Sequence, residues 1–173
     1  MKILGIHGFK RTDKVVDFFK KTGENLAKFG IEVFSPDFEI GEKILYKNWE
    51  KLLDSLDVKS FDTIFAHSMG CRVAMEYIIE KQIYIKKLLL IAPAIHTTRK
   101  EVQDFYIPMK HKFSEINKYV EEIIILVSLD DTVIRIDGAK ELARQTGAKF
   151  IEVNGYGHFN FEEVSIIEDI LKE

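Results

Sequence analysis

Short apolar runs alternate along the chain with longer segments in which apolar residues recur every three or four positions. Apolar runs of roughly four to eight residues are typical of strands, and the wider spacing is typical of amphipathic helices. The run Leu88–Ile91 is apolar at every position, without the alternation of a half-exposed strand. This favours a strand covered by helices on both faces. The predicted strands are Lys2–Ile6, Ile31–Phe34, Asp62–Ala66, Lys87–Ala92, Glu122–Ser128 and Lys149–Val153.

The segments between these strands predict helices. In the first of them the apolar positions extend to Phe29, and Gly30 stands where a glycine often ends a helix. Alternating strands and helices are typical of βαβ units, so we expect an α/β fold of three layers, with about six mostly parallel strands and helices on both faces. The first predicted helix begins at Thr12 or Asp13. The other predicted helices are Tyr46–Leu56, Cys71–Glu80, Ile136–Thr146 and Phe161–Leu171.

One segment, 94–119, breaks this alternation and carries scattered aromatic residues and two histidines. We interpret it as a cap or lid over the carboxyl edge of the sheet. A chain of 173 residues suits one hydrophobic core, so residues 1–173 are expected to form a single domain.

Composition narrows the classes of function. The chain is 46% hydrophobic and 31% charged, and its formal net charge of −3 comes with no large basic stripe, which argues against a nucleic-acid partner. No apolar run approaches the roughly 20 residues of a membrane span, and the N-terminus does not resemble a signal peptide. The single cysteine, Cys71, excludes an internal disulfide, and we expect a cytoplasmic protein.

A serine lies between the third predicted strand and the next helix, in the motif Ala66–Gly70, which reads A-H-S-M-G. Almost no residues remain for a loop, so Ser68 should occupy a sharp strand-to-helix turn. This is the nucleophile elbow, G-x-S-x-G, with alanine at the first glycine. The alternative is that Ser68 only caps the helix.

An acid and a histidine follow later strands. Asp130 and Asp131 come after the fifth strand, and His158 lies in a glycine-rich turn after the sixth. Because parallel strands end at one edge of a sheet, these side chains should approach Ser68. Serine needs a base to take its proton, histidine can serve as one near neutral pH, and a carboxylate orients the imidazole. We favour Asp131 over Asp130 because a short apolar segment follows it, although a turn role for either aspartate and a loop role for His158 stay open.

Backbone amides should stabilise the oxyanion that such a serine would generate. We expect one donor to be the amide of Met69, at the start of a helix, and the other to be the amide of Phe9, in the loop after the first strand. Gly8 would let that loop come close to the serine. We interpret His7 as a support for this loop rather than as a second base.

Four short motifs bring these residues together: they are His7–Phe9, Ala66–Gly70, Asp130–Val133 and Gly157–Phe159. In this combination the chain resembles the small α/β-hydrolases of the retinoblastoma-binding-protein-9-like and YdeN-like group of serine hydrolases. The resemblance implies an α/β-hydrolase core without the antiparallel strands that begin larger members. It also implies that Ser68 is the nucleophile, Asp131 the acid and His158 the base.

The expected activity is hydrolysis of small carboxylic esters through an acyl-enzyme, with a small-molecule acyl ester as substrate and without a metal or other cofactor. Two residues of the cap segment, Ile95 and Phe105, are candidates for an apolar acyl site. Two other functions remain open: a binding module that keeps the fold without turnover, and an acyltransferase that uses the same three side chains. The sequence leaves the acyl-chain length and the oligomeric state undetermined.

Overall fold

A six-stranded parallel sheet forms the centre of the protein, as seen in a computed structural model of the chain. The structure describes residues 1–8, 13–38, 46–95, 110–159 and 165–173, with side chains in the first helix described from Phe18 onward. The strands are β1 (Lys2–Ile6), β2 (Glu32–Phe34), β3 (Thr63–His67), β4 (Ile85–Ile91), β5 (Val120–Ser128) and β6 (Lys149–Val153).

The strands lie in the order β2-β1-β3-β4-β5-β6, and each neighbouring pair is parallel. Ala66, near the end of β3, lies opposite Ile6 of β1 and Leu90 of β4. All six strands therefore end at the same edge of the sheet. The loops that follow β1, β3, β5 and β6 carry the predicted site residues, so the topology brings those loops to one side.

Helices pack around this sheet in two groups. The first group contains the helices Asp13–Ala27 and Ser165–Lys172. The second contains the helices Tyr46–Asp54 and Met69–Lys81, with the 3-10 helix Phe113–Lys118 that contacts the helix Ile136–Thr146. Right-handed crossovers explain why the first helix lies on one face and the helices between β2 and β6 lie on the other, because the chain moves one way from β1 to β2 and the opposite way from β2 to β6. The helices are α1 (Asp13–Ala27), α2 (Tyr46–Asp54), α3 (Met69–Lys81), α4 (Ile136–Thr146) and α5 (Ser165–Lys172), with 3-10 helices at Val58–Ser60 and Phe113–Lys118.

The strands in the middle of the sheet are almost entirely buried. Every residue of β3 is buried, and so are the last four residues of β4 and the last six of β5. Helices cover both faces of these strands, which is why their sequences lack the alternation of a half-exposed strand. The strand ends that carry the site are thus fixed in a well-packed core.

The predicted fold class is confirmed, and the remaining differences lie at element ends. Phe29 was expected on the buried face of the first helix, and this was wrong: its side chain is 63% exposed. The helix ends at Ala27, so helical spacing no longer determines which way Phe29 faces. Gly30 follows with a φ of 73°, which fits its expected role in ending the helix.

Part of the cap segment, residues 96–109, lies outside the described residues, as do residues 161–164 of the last predicted helix. The described remainder of the cap segment includes the 3-10 helix Phe113–Lys118, which packs on α3 and α4. The cap itself and the single domain stay predictions. In the part of the chain that the structure describes, every helix is too short or too polar to cross a bilayer.

Candidate active site

The turn between β3 and α3 is as sharp as the sequence predicted. β3 ends at His67 and α3 begins at Met69, so Ser68 alone connects them. Ser68 has φ 54° and ψ −120°, a backbone conformation that serine rarely adopts. Gly70 makes the turn possible, because a Cβ there would collide with the carbonyl oxygens of Ile6 and His7. The start of α3 therefore lies directly against the end of β1.

The hydroxyl of Ser68 faces away from the helix that follows it. Its side chain makes no capping hydrogen bond to α3, and its Oγ lies 3.1 Å from Nε2 of His158. The backbone of Ser68 is held in place, because its amide donates to the carbonyl of Ile91 at 2.9 Å. This geometry does not fit the alternative in which Ser68 serves only as a helix cap.

His158 continues the hydrogen-bond chain to Asp131. Its Nδ1 lies 2.8 Å from Oδ2 of Asp131, whose side chain is fully buried. The other carboxylate oxygen, Oδ1, accepts from the amides of Val133 at 2.7 Å and Ile134 at 3.1 Å. Both oxygens of the carboxylate are therefore engaged, and the imidazole is held between the acid and the serine.

The ionisation of Asp131 suits an orienting acid. Burial acts to raise the pKa of this carboxyl group. The hydrogen bond and the charge of His158, together with the two backbone amides, outweigh burial and keep the pKa below its ordinary value. Asp131 is therefore a carboxylate at neutral pH.

Asp130, the neighbouring candidate, binds backbone instead of the imidazole. Its carboxylate accepts from the amide of Gly155 at 2.9 Å and from that of Gly157 at 3.2 Å, and the Ser128 hydroxyl donates to it. The hydrogen bond from Ser128 is the main reason that the pKa of Asp130 lies below its ordinary value. The two aspartates thus have different contacts: Asp131 binds the ring of His158, and Asp130 binds the backbone of the turn before it.

The base loop, defined here as residues 154–159, is also anchored in the core. Phe159 is 1% exposed and has φ 53°, and its ring stacks on that of Tyr156 with centroids 5.7 Å apart. The amide of Tyr156 donates to the Ser128 hydroxyl at 3.1 Å. Sequence reasoning found His158 in this loop but missed the parts that Asp130, Ser128 and Phe159 play in holding it.

The loop after β1 approaches the serine closely. A Cβ placed on Gly8 would lie 2.8 Å from the Cβ of Ser68, so only glycine leaves room here. His7 supports this loop: its Nδ1 donates to the Gly8 carbonyl at 2.8 Å, and its Nε2 accepts from the Phe38 amide at 3.0 Å. Phe9, the expected second oxyanion donor, lies outside the described residues. Met69 is the first residue of α3. The first amides of a helix have no partner within the helix, so the amide of Met69 is in a position to donate to an oxyanion.

Of the two candidates for an acyl site, the structure describes one, Ile95. Phe105 lies outside the described residues. Ile95 is 1% exposed, and its carbonyl accepts from the guanidinium of Arg72 at 2.6 Å. One turn further along α3, the fully buried Glu76 accepts from the Lys110 amide at 3.2 Å. Sequence reasoning missed this pair of buried charges on α3, which hold the two described flanks of the cap segment.

Cys71 and the described metal-ligating residue types bear on whether other chemistry is available near the site. Cys71 is buried, and burial raises the pKa of its thiol, which fits the packing role expected for it. Among the described residues, no group of three or more histidine, cysteine, aspartate or glutamate side chains is arranged to hold a metal ion.

Comparison with known protein families identifies the family of this chain. Residues 43–165, more than half of the chain, match the family described as "Serine hydrolase". No curated protein gives a significant match.

Solved structures show the same fold at low sequence identity. The ydeN gene product of B. subtilis is 19% identical, with a TM-score of 0.87 over 99% of this chain and 96% of that one. A predicted CIB-like hydrolase from Thermoplasma acidophilum is 22% identical, with a TM-score of 0.70 over 99% and 86% of the two chains. Est1E from Butyrivibrio proteoclasticus is 17% identical, with a TM-score of 0.70 over 99% and 85%.

The predicted resemblance to small α/β-hydrolases is thereby confirmed. The structural matches show the α/β-hydrolase fold, and the match over residues 43–165 identifies the family. The chain belongs to the serine hydrolase family.

Proposed function

We propose that the protein hydrolyses small carboxylic esters through an acyl-enzyme on Ser68, with His158 as base and Asp131 as orienting acid. The observation that carries the proposal is the unbroken hydrogen-bond chain from Ser68 Oγ to His158 Nε2 at 3.1 Å and from His158 Nδ1 to Asp131 Oδ2 at 2.8 Å. Nucleophile, base and orienting acid linked in this way are what acyl transfer from an ester to a serine requires.

In the first half of the proposed reaction, Ser68 Oγ attacks the ester carbonyl carbon while its proton passes to His158 Nε2. The imidazolium that forms is stabilised by the Asp131 carboxylate, whose lowered pKa keeps it ionised. Collapse of the tetrahedral intermediate breaks the bond to the alcohol oxygen, which takes the proton from His158. The acyl group then remains on Ser68 as an ester.

In the second half, water replaces the alcohol. His158 takes a proton from the water, the resulting oxygen nucleophile attacks the acyl carbon, and the carboxylic acid leaves as Ser68 Oγ recovers its proton. In both halves the amide of Met69 donates to the oxyanion, and the amide of Phe9 is the proposed second donor. Removing one such donor typically costs about 10²- to 10³-fold in rate.

Ester chemistry is also the chemistry named for several proteins of the same fold. Structures similar to this chain include carboxylesterases of Nitrososphaera gargenis, at 13% identity and a TM-score of 0.72, and Est1E with ferulic acid bound, at 16% identity and a TM-score of 0.70. These names support the choice of esters as the first substrate class to test. We further propose that segment 94–119 covers the acyl site, with Ile95 and Phe105 as contacts, in a single-domain cytoplasmic enzyme.

The test uses a fluorophosphonate probe, which reacts covalently with an activated serine, and a series of p-nitrophenyl esters of increasing acyl length. The wild-type protein should be labelled and should release p-nitrophenol in repeated turnovers. Ser68→Ala should lose both, because the nucleophile is gone. Thr63→Ser, a small change in the same strand far from the elbow, serves as the matched control and should keep both.

Two results would contradict the proposal. Labelling that persists in Ser68→Ala would put the nucleophile elsewhere. A folded wild-type protein that neither reacts with the probe nor cleaves any ester would favour a binding module on the same fold. Product analysis with added alcohols separates hydrolysis from acyl transfer, because a transferase would form a new ester.

A further inference from the structure

His67, the residue before the nucleophile, has no part in the reaction described above. It is the last residue of β3 and is 3% exposed. Its Nε2 lies 2.9 Å from the backbone carbonyl oxygen of His158, and the two imidazole rings have centroids 4.7 Å apart. A carbonyl oxygen can only accept, so Nε2 of His67 must carry the hydrogen and donate it.

We propose that His67 is a positioning residue whose Nε2–H holds the backbone of His158, and thereby ties the base to the strand that carries the nucleophile. The inference rests on the proposed function, because it assigns His67 a part in keeping the distance between His158 and Ser68 suited to proton transfer. His67 touches neither the substrate nor the hydroxyl in this assignment.

The bond from His67 reaches the base loop from a different strand than the bonds from Asp130 and Ser128. Asp130 and Ser128 hold the loop from the end of β5, on the side of the acid. His67 holds it from the end of β3, on the side of the serine. A base fixed only from the acid side would be free to move away from the hydroxyl, and a misplacement of about 1 Å can cost about 10²-fold in rate.

The environment of the other ring nitrogen of His67 supports a specific role for the bond to His158. Nδ1 is buried and has no hydrogen-bond partner in the described part of the chain. A Cβ on Gly8 would lie 3.2 Å from this nitrogen, so the atom faces the closely packed loop after β1. A buried acceptor without a donor is unfavourable, and an apolar side chain of similar size would avoid that cost.

The ring also keeps a fixed charge state. Burial is the main cause that lowers the pKa of His67 to about 3, and the nearby charge of His158 lowers it further. A neutral His67 can donate to the His158 carbonyl without repelling the imidazolium that forms when His158 takes a proton from Ser68. A lysine or arginine in this place would supply a donor but would oppose that charge.

The experiment compares two substitutions that differ in the donor. His67→Phe keeps a flat ring but removes the Nε2–H, and His67→Gln restores an N–H on a side chain of similar reach. Thr63→Ser, which alters a side chain at the opposite end of the strand that carries His67, is the matched control. Each variant is assayed for kcat and KM with p-nitrophenyl acetate, and thermal unfolding reports whether it is folded.

The proposal expects His67→Phe to lower kcat by about 10- to 100-fold with KM changed less than about threefold, because the defect lies in positioning and not in substrate binding. His67→Gln should recover most of the lost kcat, and Thr63→Ser should match the wild type. A kcat of His67→Phe equal to that of the wild type would overturn the proposal. Equal losses in His67→Phe and His67→Gln would also overturn it, since packing of the imidazole would then be what matters.

A second readout does not depend on turnover. Long-range ¹H–¹⁵N spectra of protein labelled in its imidazole nitrogens distinguish the tautomers of His158, whose Nδ1 should carry the hydrogen because it donates to Asp131. His67→Phe should broaden or shift these signals, and His67→Gln should restore them. Unchanged His158 signals in His67→Phe would refute the positioning role even if no ester were cleaved, so this failure is separable from a failure of the proposed function.

Discussion

The elbow at Ser68 and the base loop are in direct contact, yet they are built in different ways. The elbow is fixed by its own backbone: Ser68 is the only residue between β3 and α3, and Gly70 lets the helix start touch β1. The base loop is fixed by side chains of other elements, with Asp130 from the end of β5 and His67 from the end of β3. A turn defined by neighbouring residues is visible in sequence, whereas a loop held from a distance is not.

The largest expected effect separates the two aspartates that serve the base loop. Asp131→Asn should lower kcat by about 10⁴-fold, because an amide donating to Nδ1 would favour the wrong tautomer of His158. Asp130→Asn should cost only about tenfold, because its amide oxygen can still accept from Gly155 and Gly157. Steady-state kinetics of both variants with p-nitrophenyl acetate measures the difference. A larger loss in Asp130→Asn than in Asp131→Asn would reverse their assignments.

The next effect tests whether the elbow depends on close backbone contact. Gly70→Ala should lower the free energy of unfolding by about 3 kcal/mol, since the new Cβ meets two backbone carbonyl groups that have little room to move. Urea titration monitored by circular dichroism gives this value. A loss below about 1 kcal/mol would mean that α3 can shift away from β1, and the contrast with the base loop would weaken.

A third effect concerns acid stability and reports on His67. Its pKa of about 3 in the folded protein lies below the value of about 6.5 expected in the unfolded chain, so the unfolded state binds more protons between these limits. The contribution of His67 is complete above about pH 6.5 and is lost as the pH falls, by up to about 1.4 kcal/mol per pH unit.

Asp131 adds to this dependence only at lower pH. Its pKa is also lowered on folding, so its contribution is complete above the unfolded value of about 3.9 and is lost as the pH falls through the lower folded value. Urea titrations of wild type and His67→Gln between about pH 7 and pH 4 separate the two groups. The variant should show the shallower slope over this range, and parallel curves would rule out a buried neutral imidazole at position 67.

The smallest effect lies in the base loop. Gly157 has φ 50°, and a Cβ there would meet nothing within 4 Å. Gly157→Ala should therefore cost only about 1 kcal/mol, from backbone strain without a collision. The same urea titration used for Gly70→Ala provides a direct comparison. A loss as large as that of Gly70→Ala would show that the two regions do not differ in the way described above.

Sequence predicted the sheet, the strand ends and the elbow because each depends on local pattern. An unbroken apolar run identifies a covered strand such as β4, and the motif around Ser68 leaves no room for a loop. The error at Phe29 came from extending a helical pattern past Ala27, where the helix ends. The spacing of apolar residues does not by itself indicate the residue at which a helix ends.

Other features of the site could not be derived from pattern. The apolar segment after Asp131 favours it over the adjacent Asp130, but only the direction of each carboxylate in space shows which one contacts His158 and which one binds Gly157. The bond from His67 to His158 joins residues 91 positions apart, and nothing in the motif marks the histidine for that purpose. Such contacts depend on tertiary geometry, which a single sequence does not display.

The helix that starts beside Ser68 also has a consequence for protein engineering. Arg72 and Glu76 on α3 bind the flanks of segment 96–109, through the Ile95 carbonyl and the Lys110 amide, and both charged side chains are buried. Because these anchors contact backbone groups, a transplanted sequence of similar length would find the same two attachment points whatever its side chains. New sequence grafted between Ile95 and Lys110 is therefore expected to leave Ser68 and its helix unchanged.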